Sequence, residues 1–456
     1  MPDYDVLVLG GGSAGSRAAR AAAAEGARTA MINDGELGGL CILRGCMPTK
    51  AMLASAHAMH DARRLEPFGV VPGGEPTPDF ERIMARQKGM VRRFQAAKIA
   101  GIEAQPHDVI DGRGRFVSTR EIELDGRTLS ARAFVLATGS RPHLPDLPGL
   151  SEVTVLTSDD VMELERPPAS LIVYGAGPIG LELAQFFARI GTRVALVNRS
   201  PLLRKFDLGA GEELADALGR EMELRIGTCI QRVERETAGA VAHLDDGTVV
   251  RGEAILVALG RCANLQGLGL EAFGLDVSCE TLAVDETMQS AHPALFAAGD
   301  VTGHYQILHL ANREGEVAGR NAAGASPREC IDYRLKMSVT FSDPPYAHVG
   351  ATEAELAASG IPYRKGTVRF PETGRAITMS VEHGLWTLYA HAESGEILGA
   401  SILGPRADDL VHLISILMWK RETIDAVDSL PWYHPTLSEV MIDLARAIRT
   451  ATVATT

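Results

Sequence analysis

The chain opens on an apolar run, Val6 to Leu9, that stops at the glycines of GGGSAG. An Ala-rich stretch follows and leads into a second apolar run, Thr29 to Ile32. Short apolar runs bounded by glycine read as buried strands, and the stretch between them as a helix. The same order returns at Leu171, where LIVYGAGPIG leads into a helix through Ile190 and a strand from Val194 to Val197. Gly10, Gly12 and Gly15 are spaced G-x-G-x-x-G; Gly175, Gly177 and Gly180 repeat them at one constant offset, which also carries Asn33 onto Asn198. Such glycines allow a tight turn and let backbone approach a pyrophosphate seated on the helix N-terminus. One motif of this kind is weak evidence. Two in strand–turn–helix–strand context and matched register predict two bound dinucleotides.

The strand ends separate the two sites. That position usually carries an acid for a ribose 2′-hydroxyl, and here both positions are Asn. Asp34 follows Asn33 and can supply the acid, whereas Asn198 is followed by Arg199, Arg204 and Lys205. A missing acid beside guanidinium groups favours a 2′-phosphate, hence NADPH over NADH; the alternative is a solvated basic loop.

Composition narrows the class. At 456 residues the chain has room for roughly three domains. A hydrophobic content of 46% and a charged content of 23% argue against disorder. A net charge of −13 excludes non-specific nucleic-acid binding and a basic membrane-surface face as default readings. No apolar run approaches the ~20 residues of a spanning helix, and the opening run is expected to be a strand and not a signal peptide. The cysteines number six, too few for a disulfide scaffold, so a close pair needs a catalytic explanation. Cys41 and Cys46 in GGLCILRGCMPTK are such a pair. On one regular helix their Cα atoms would be roughly 8–9 Å apart, beyond the ~4.4–6.8 Å of a disulfide. A bond needs a distorted first turn, for which Gly45 is expected to supply conformational freedom, while Pro48 suits a turn that needs no N–H. Two inert thiols or half a metal site are the alternatives, and no second cysteine pair lies nearby for the metal.

At this point the motifs become recognisable. LGGGSAG, GGLCILRGCMPTK, VLATGSRP, YGAGPIGLE, LVALGR, LFAAGDVTG, FSDPPYAHVG and HPTLSE together resemble the FAD-dependent pyridine nucleotide–disulfide oxidoreductases of the glutathione reductase and dihydrolipoamide dehydrogenase group, essentially end to end. The resemblance implies an α/β chain with two Rossmann-like dinucleotide-binding domains and a C-terminal α+β dimerisation domain. Residues 1–150 and 263–335 would bind FAD, 151–262 NAD(P), and 336–456 would form the interface. Cofactor contacts are expected from Gly10, Gly12, Ser13, Ala14, Gly15, Asn33, Asp34, Gly39, Lys50, Gly114, Thr138, Gly139 and Asp300, and from Gly175, Gly177, Gly180, Asn198, Arg199, Arg204 and Gly260. By the same resemblance a hydride passes from nicotinamide to FAD and electrons reach a Cys41–Cys46 disulfide. Cys46 faces the flavin, and Cys41 attacks the substrate disulfide. His434 is the acid–base residue, oriented by Glu439 and supplied by the partner subunit of a homodimer, while Lys50 and Glu182 lie near the flavin ring.

Departures narrow the subfamily. The chain shows no terminal cysteine pair and no metal-binding N-terminal extension, and it carries His434 where mercuric reductases have tyrosine; mercuric reductase and high-molecular-weight thioredoxin reductase are therefore disfavoured. ILHLANREGEVAGRNAAG is nearer the dihydrolipoamide dehydrogenase branch, whereas Asn198 and Arg199 pull away from it. Pro178 replaces the tyrosine that gates the nicotinamide pocket of glutathione reductases, and Trp432 and Tyr433 suggest a different substrate mouth. The expected protein is a cytoplasmic NADPH-dependent disulfide reductase acting on a small-molecule disulfide, with no nucleic-acid or membrane partner and no resident metal. The alternatives are an NAD-dependent dihydrolipoamide dehydrogenase serving a 2-oxoacid dehydrogenase complex, and a non-catalytic flavoprotein sensor. Cys229, Cys262, Cys279 and Cys330 match no motif and are expected to be small buried hydrophobes.

Overall fold

Tyr4–Leu9 runs parallel to Thr29–Asn33 on one side and to Arg127–Leu136 on the other. Val6, Leu7 and Val8 are fully buried. That is why an unbroken apolar run forms a strand here: a parallel sheet is covered on both faces. The structure is a computed structural model describing residues 1–71, 73–237, 239–275 and 281–454. In it the chain divides into two compact units, one of Met1–Ala51, Ala85–His143 and Gly260–Asp332, the other of Met52–Met84, Leu144–Leu259 and Tyr333–Thr456.

The first unit is built on a sheet ordered Asp108–Asp111, Thr29–Asn33, Tyr4–Leu9, Arg127–Leu136, Glu121–Leu124, Arg115–Ser118, with Leu295–Ala297 added in parallel beside Arg127–Leu136. Helix Ser13–Ala24 packs closely on helix Leu308–Ala323. A Cβ at Gly315 or Gly319 would lie 2.2 Å from Ala14 O or Ala18 O, so these glycines set the spacing of the two helices. From the same helix the buried Glu314 accepts a hydrogen bond from Gly299 N at 2.7 Å and fixes the turn ahead of Asp300.

The second unit repeats the arrangement. Ser170–Tyr174 lies between Arg193–Asn198 and Ala254–Val257, with Glu223–Ile226 and Val155–Leu156 outermost, all parallel. A three-stranded antiparallel sheet, Ile230–Glu236, Gly239–Leu244 and Val249–Gly252, shares an apolar core with it. The C-terminal part is an antiparallel sheet ordered Met337–Thr340, Tyr346–Gly350, Ile397–Leu403, Leu385–His391, Tyr363–Arg369. Its core holds Phe370, Trp386, Leu388 and Ile402 with Ile414 and Leu444 from two helices. The α/β class with an α+β C-terminal part is thus as expected. Among the described residues no helix is long and apolar enough to cross a membrane.

His348, on Tyr346–Gly350, is 2% exposed, and its Nε2 donates to Gly350 O at 3.0 Å. Burial holds its imidazole down at about 4, against 6.5 ordinarily. A histidine depressed on folding contributes fully above its unfolded value and loses that contribution as pH falls through the window from 6.5 towards about 4. Stability should decline across that window by roughly 3 kcal/mol at most from this residue, at ~1.4 kcal/mol per pKa unit. Urea titrations through the window should show a shallower decline for His348→Gln.

Candidate active site

The two glycine turns fold alike. Gly10 and Gly175 both have a φ of +109°, and a Cβ on either would lie 2.2 Å from Ala137 O or 2.4 Å from Ala258 O, respectively. Gly15 and Gly180 are equally obligatory, their Cβ positions being 1.8 and 1.9 Å from the carbonyl oxygens of Gly10 and Gly175. The middle glycines differ in kind: a Cβ at Gly177 would meet nothing within 4 Å, and one at Gly12 would meet only Gly39 Cα, at an unstrained 3.8 Å. Each is the N-cap of its helix, Ser13–Ala24 or Pro178–Arg189, and neither helix has a side-chain cap. Uncapped N–H groups facing open space at a helix N-terminus suit a pyrophosphate, so both cradles fit dinucleotides.

Asn33 and Asn198 also behave as a pair. Asn33 Oδ1 accepts from Gly11 N at 2.9 Å and its Nδ2 donates to Gly35 O at 2.7 Å. Asn198 does the same with Ala176 N at 3.0 Å and Ser200 O at 2.6 Å. Each carboxamide ties its own glycine turn to the strand end. Asp34 is exposed beside the first cradle; Arg199, Arg204 and Lys205 are exposed beside the second, with Arg204 Nη1 donating to Ser200 Oγ at 3.3 Å.

Other first-unit residues converge on the first turn. Thr138 Oγ1 donates to Asn264 O at 2.8 Å, and Asn264 Nδ2 returns a bond to Thr138 O at 3.0 Å, latching the Thr138–Gly139 corner. Asp300 accepts from Ser140 Oγ at 2.6 Å, and Arg261 Nε donates to that same hydroxyl at 2.8 Å. Gly114 is buried against Ile122, and Gly260 takes a φ of +110°. Ser140, Arg261, Asn264 and Glu314 escape a reading of the motifs alone; they stand inside or beside them, but their partners are remote in the chain.

The cysteine pair does not share a helix. Helix Gly39–Leu43 ends before Arg44, and helix Cys46–Arg63 begins after Gly45. The break removes the long helical spacing. Gly45 acts otherwise than expected: its φ is not left-handed, and what matters is space, since a Cβ there would lie 3.0 Å from Leu40 O and 3.4 Å from Cys41 Cα. Both cysteines are thiols, Cys41 half-buried and Cys46 exposed. The hydrogen bond with Cys46, and next burial, push the Cys41 thiol well up from its ordinary value, while the Lys50 ammonium pulls the other way. Gly39, two residues before Cys41, lies so near the first cradle that its Cβ would be 2.6 Å from Gly12 Cα.

In the second unit, His434 Nδ1 meets both carboxylate oxygens of Glu439, at 3.1 and 3.0 Å. The histidine side chain is 76% exposed and the glutamate 19%, so the acid is fixed and the ring presents Nε2 outward. Glu182 is buried on helix Pro178–Arg189 and accepts from Phe341 N at 3.0 Å. Lys50 belongs to the first unit and Glu182 to the second. The expectation of buried hydrophobes fails for the remaining described cysteines: Cys330 is exposed, and Cys229 and Cys262 are half-buried. Cys229 and Cys330 sit in connections, and Cys262 is the middle residue of the short strand Arg261–Ala263. Cys279 lies outside the described residues. Among the described residues no cluster could hold a metal ion.

Residues 4–315 match the family model described as pyridine nucleotide-disulphide oxidoreductase, and residues 337–445 match the dimerisation domain of that family. The chain is 31% identical to a dihydrolipoyl dehydrogenase of Chlamydia muridarum (strain MoPn / Nigg) over 97% of this chain and 96% of the relative. It is 32% identical to a mercuric reductase of Streptomyces lividans, over 95% and 94%. Identity is again 32% to a soluble pyridine nucleotide transhydrogenase of Marinomonas sp. (strain MWYL1), over 96% of each. Among solved structures, the Cu(II) complex of the HOCl-induced flavoprotein disulfide reductase RclA from Escherichia coli shares the fold, with a TM-score of 0.85 at 24% identity over 98% of this chain and 99% of that one.

Proposed function

The chain belongs to the pyridine nucleotide–disulphide oxidoreductases, enzymes that work with FAD and a pyridine nucleotide, and from that premise we propose that it uses NADPH to reduce a small-molecule disulfide through Cys41 and Cys46. The observation that carries the reading is the break between helix Gly39–Leu43 and helix Cys46–Arg63, which puts the thiols in hydrogen-bond contact within a few residues of Gly39 and the first cradle. The first cradle, with Asp300 and the Thr138–Gly139 corner, would hold FAD; the second, with Arg199 and Arg204, would hold NADPH. When bound, the flavin relays two electrons from the nicotinamide to the cysteine pair.

The chain's own residues divide the remaining work. The hydrogen bond with Cys46, and next burial, favour the protonated Cys41, and we assign the negative charge of the reduced pair to Cys46. His434 Nε2 removes the Cys41 proton as substrate arrives. Cys41 then attacks one substrate sulfur, the substrate S–S bond breaks, and the leaving thiolate takes the proton back from His434. Cys46 attacks Cys41 in turn, closing the Cys41–Cys46 disulfide and expelling the second half of the substrate as a thiolate, which takes its proton from solvent. Glu439 holds the imidazole orientation throughout. We place Lys50 and Glu182 beside the flavin ring and His434 in the site of a partner subunit, for which its exposure and the matched dimerisation domain are the support. The division into an FAD domain over 1–150 and 263–335, an NAD(P) domain over 151–262 and an interface domain over 336–456 belongs to the same reading, as does action in the cytoplasm, in keeping with sparse cysteine usage.

Anaerobic mixing with NADPH and with NADH, followed by visible absorption, tests the coenzyme. Reduction should be faster with NADPH. Arg199→Glu combined with Arg204→Ala should cut the NADPH-over-NADH ratio in kcat/KM by on the order of tenfold or more, since hydrogen bonds to a charged group are worth about 1.5–3 kcal/mol each. NADH preferred by the unaltered protein would move the assignment to a dihydrolipoyl dehydrogenase, a name carried by relatives that are 31% and 32% identical to this chain.

A further inference from the structure

A further thiol, Cys262, stands outside this chemistry. Strand Arg261–Ala263 pairs antiparallel with Ser140–Pro142, placing Cys262 opposite Arg141. His143 N donates to Gly260 O at 2.9 Å and extends the ladder by one step, so His143 stands opposite a residue without a side chain. On an antiparallel pair, residues two apart share a face, and the diagonal neighbour is within reach of a long side chain. The imidazole reaches Cys262 as that diagonal neighbour, with Nδ1 3.3 Å from Sγ. Arg141, on the same face, is anchored through Nη1 to Ala263 O at 2.8 Å and adds a fixed positive charge. Cys262 and His143 are both half-buried, open enough for a small reagent. A thiol in hydrogen-bond reach of a base, with a cation beside it, has the composition of an activated nucleophile.

We propose that Cys262 is a peroxide-reactive thiol with His143 as its base, distinct from the Cys41–Cys46 pair. His143 Nδ1 takes the Sγ proton, and the sulfur attacks one oxygen of a hydroperoxide. The S–O bond forms as the O–O bond breaks; the leaving hydroxide or alkoxide takes the proton from the imidazolium and departs as water or alcohol. Sulfur is oxidised by two electrons to the sulfenic acid, and the peroxide is reduced by the same two.

Cys330 is a built-in control, because it is exposed while Cys262 is half-buried. Accessibility alone predicts that Cys330 reacts first; the proposal predicts the reverse. The holoenzyme is treated with limiting hydrogen peroxide, sulfenic acid is trapped with dimedone, and adducts are counted peptide by peptide by mass spectrometry. Cys262 should be labelled about tenfold or more faster than Cys330 and Cys229, and His143→Gln should slow Cys262 alone by about tenfold or more, the low end of what a positioned base contributes. Flavin content reports whether that variant is folded, and the ordering in the unaltered protein needs no variant. Cys330 labelled first, or a Cys262 rate indifferent to His143→Gln, overturns the proposal.

Discussion

Cys46→Ser should abolish disulfide turnover, with a loss on the order of 10⁴-fold or more, because removing one member of a catalytic unit that acts in concert costs nearly the whole effect. Flavin should stay bound: the glycine turn, the Asn33 tie and the Asp300 network all lie apart from the Cys46 side chain. A second readout makes the test specific to the pair. The hydrogen bond with Cys46 is the largest cause raising the Cys41 thiol. A serine hydroxyl stays neutral, so that cause disappears and the Cys41 thiol moves back down, leaving more thiolate at a given pH. Iodoacetamide should therefore alkylate Cys41 faster in Cys46→Ser than in the reduced, unaltered protein. Turnover that survived the substitution would remove the pair from the mechanism. Turnover absent from the unaltered protein as well would favour the flavoprotein sensor.

Both cradles were legible because their glycines are demanded by backbone atoms: Ala137 O and Ala258 O occupy the places where side chains at Gly10 and Gly175 would go. No other residue type meets that demand, so the sequence must display it, twice and in register. The role of Asn33 and Asn198 was hidden, since their partners are backbone groups, which leave no trace in composition. A pattern that reserves the strand end for a ribose-binding acid says nothing of an amide serving as donor and acceptor to its own turn. The helix break at Arg44–Gly45 was foreseen only as a geometric need; periodicity measures how a helix continues and is a poor guide to a two-residue stop without proline. Ser140 with Asp300, Glu314 with Gly299 N, and Cys262 with His143 arise from sheet register and from helix packing. Residues far apart in sequence meet there only once the fold exists.

His434→Gln should slow disulfide reduction by about 10²–10⁴-fold, the usual contribution of a positioned acid–base group, while leaving reduction of the protein by NADPH intact. The imidazole is built for this separation: Glu439 occupies Nδ1 with both oxygens, and only Nε2 is left to exchange a proton with a substrate thiol. Glutamine retains a donor and much of the shape, so a loss confined to the thiol–disulfide half, measured by rapid mixing of each half separately, identifies a catalytic role. Equal slowing of both halves would mean a structural one. The exposure of His434 adds a sharper arm. If each site takes its cysteines from one subunit and its histidine from the other, a dimer of one His434→Gln chain and one Cys46→Ser chain contains one complete site. Co-expressing the two inactive variants should then restore about a quarter of the unaltered activity, since half of randomly paired dimers are mixed and each mixed dimer has one working site of two. Sites confined to a single chain would give no recovery, because every chain would still lack either its thiolate or its base.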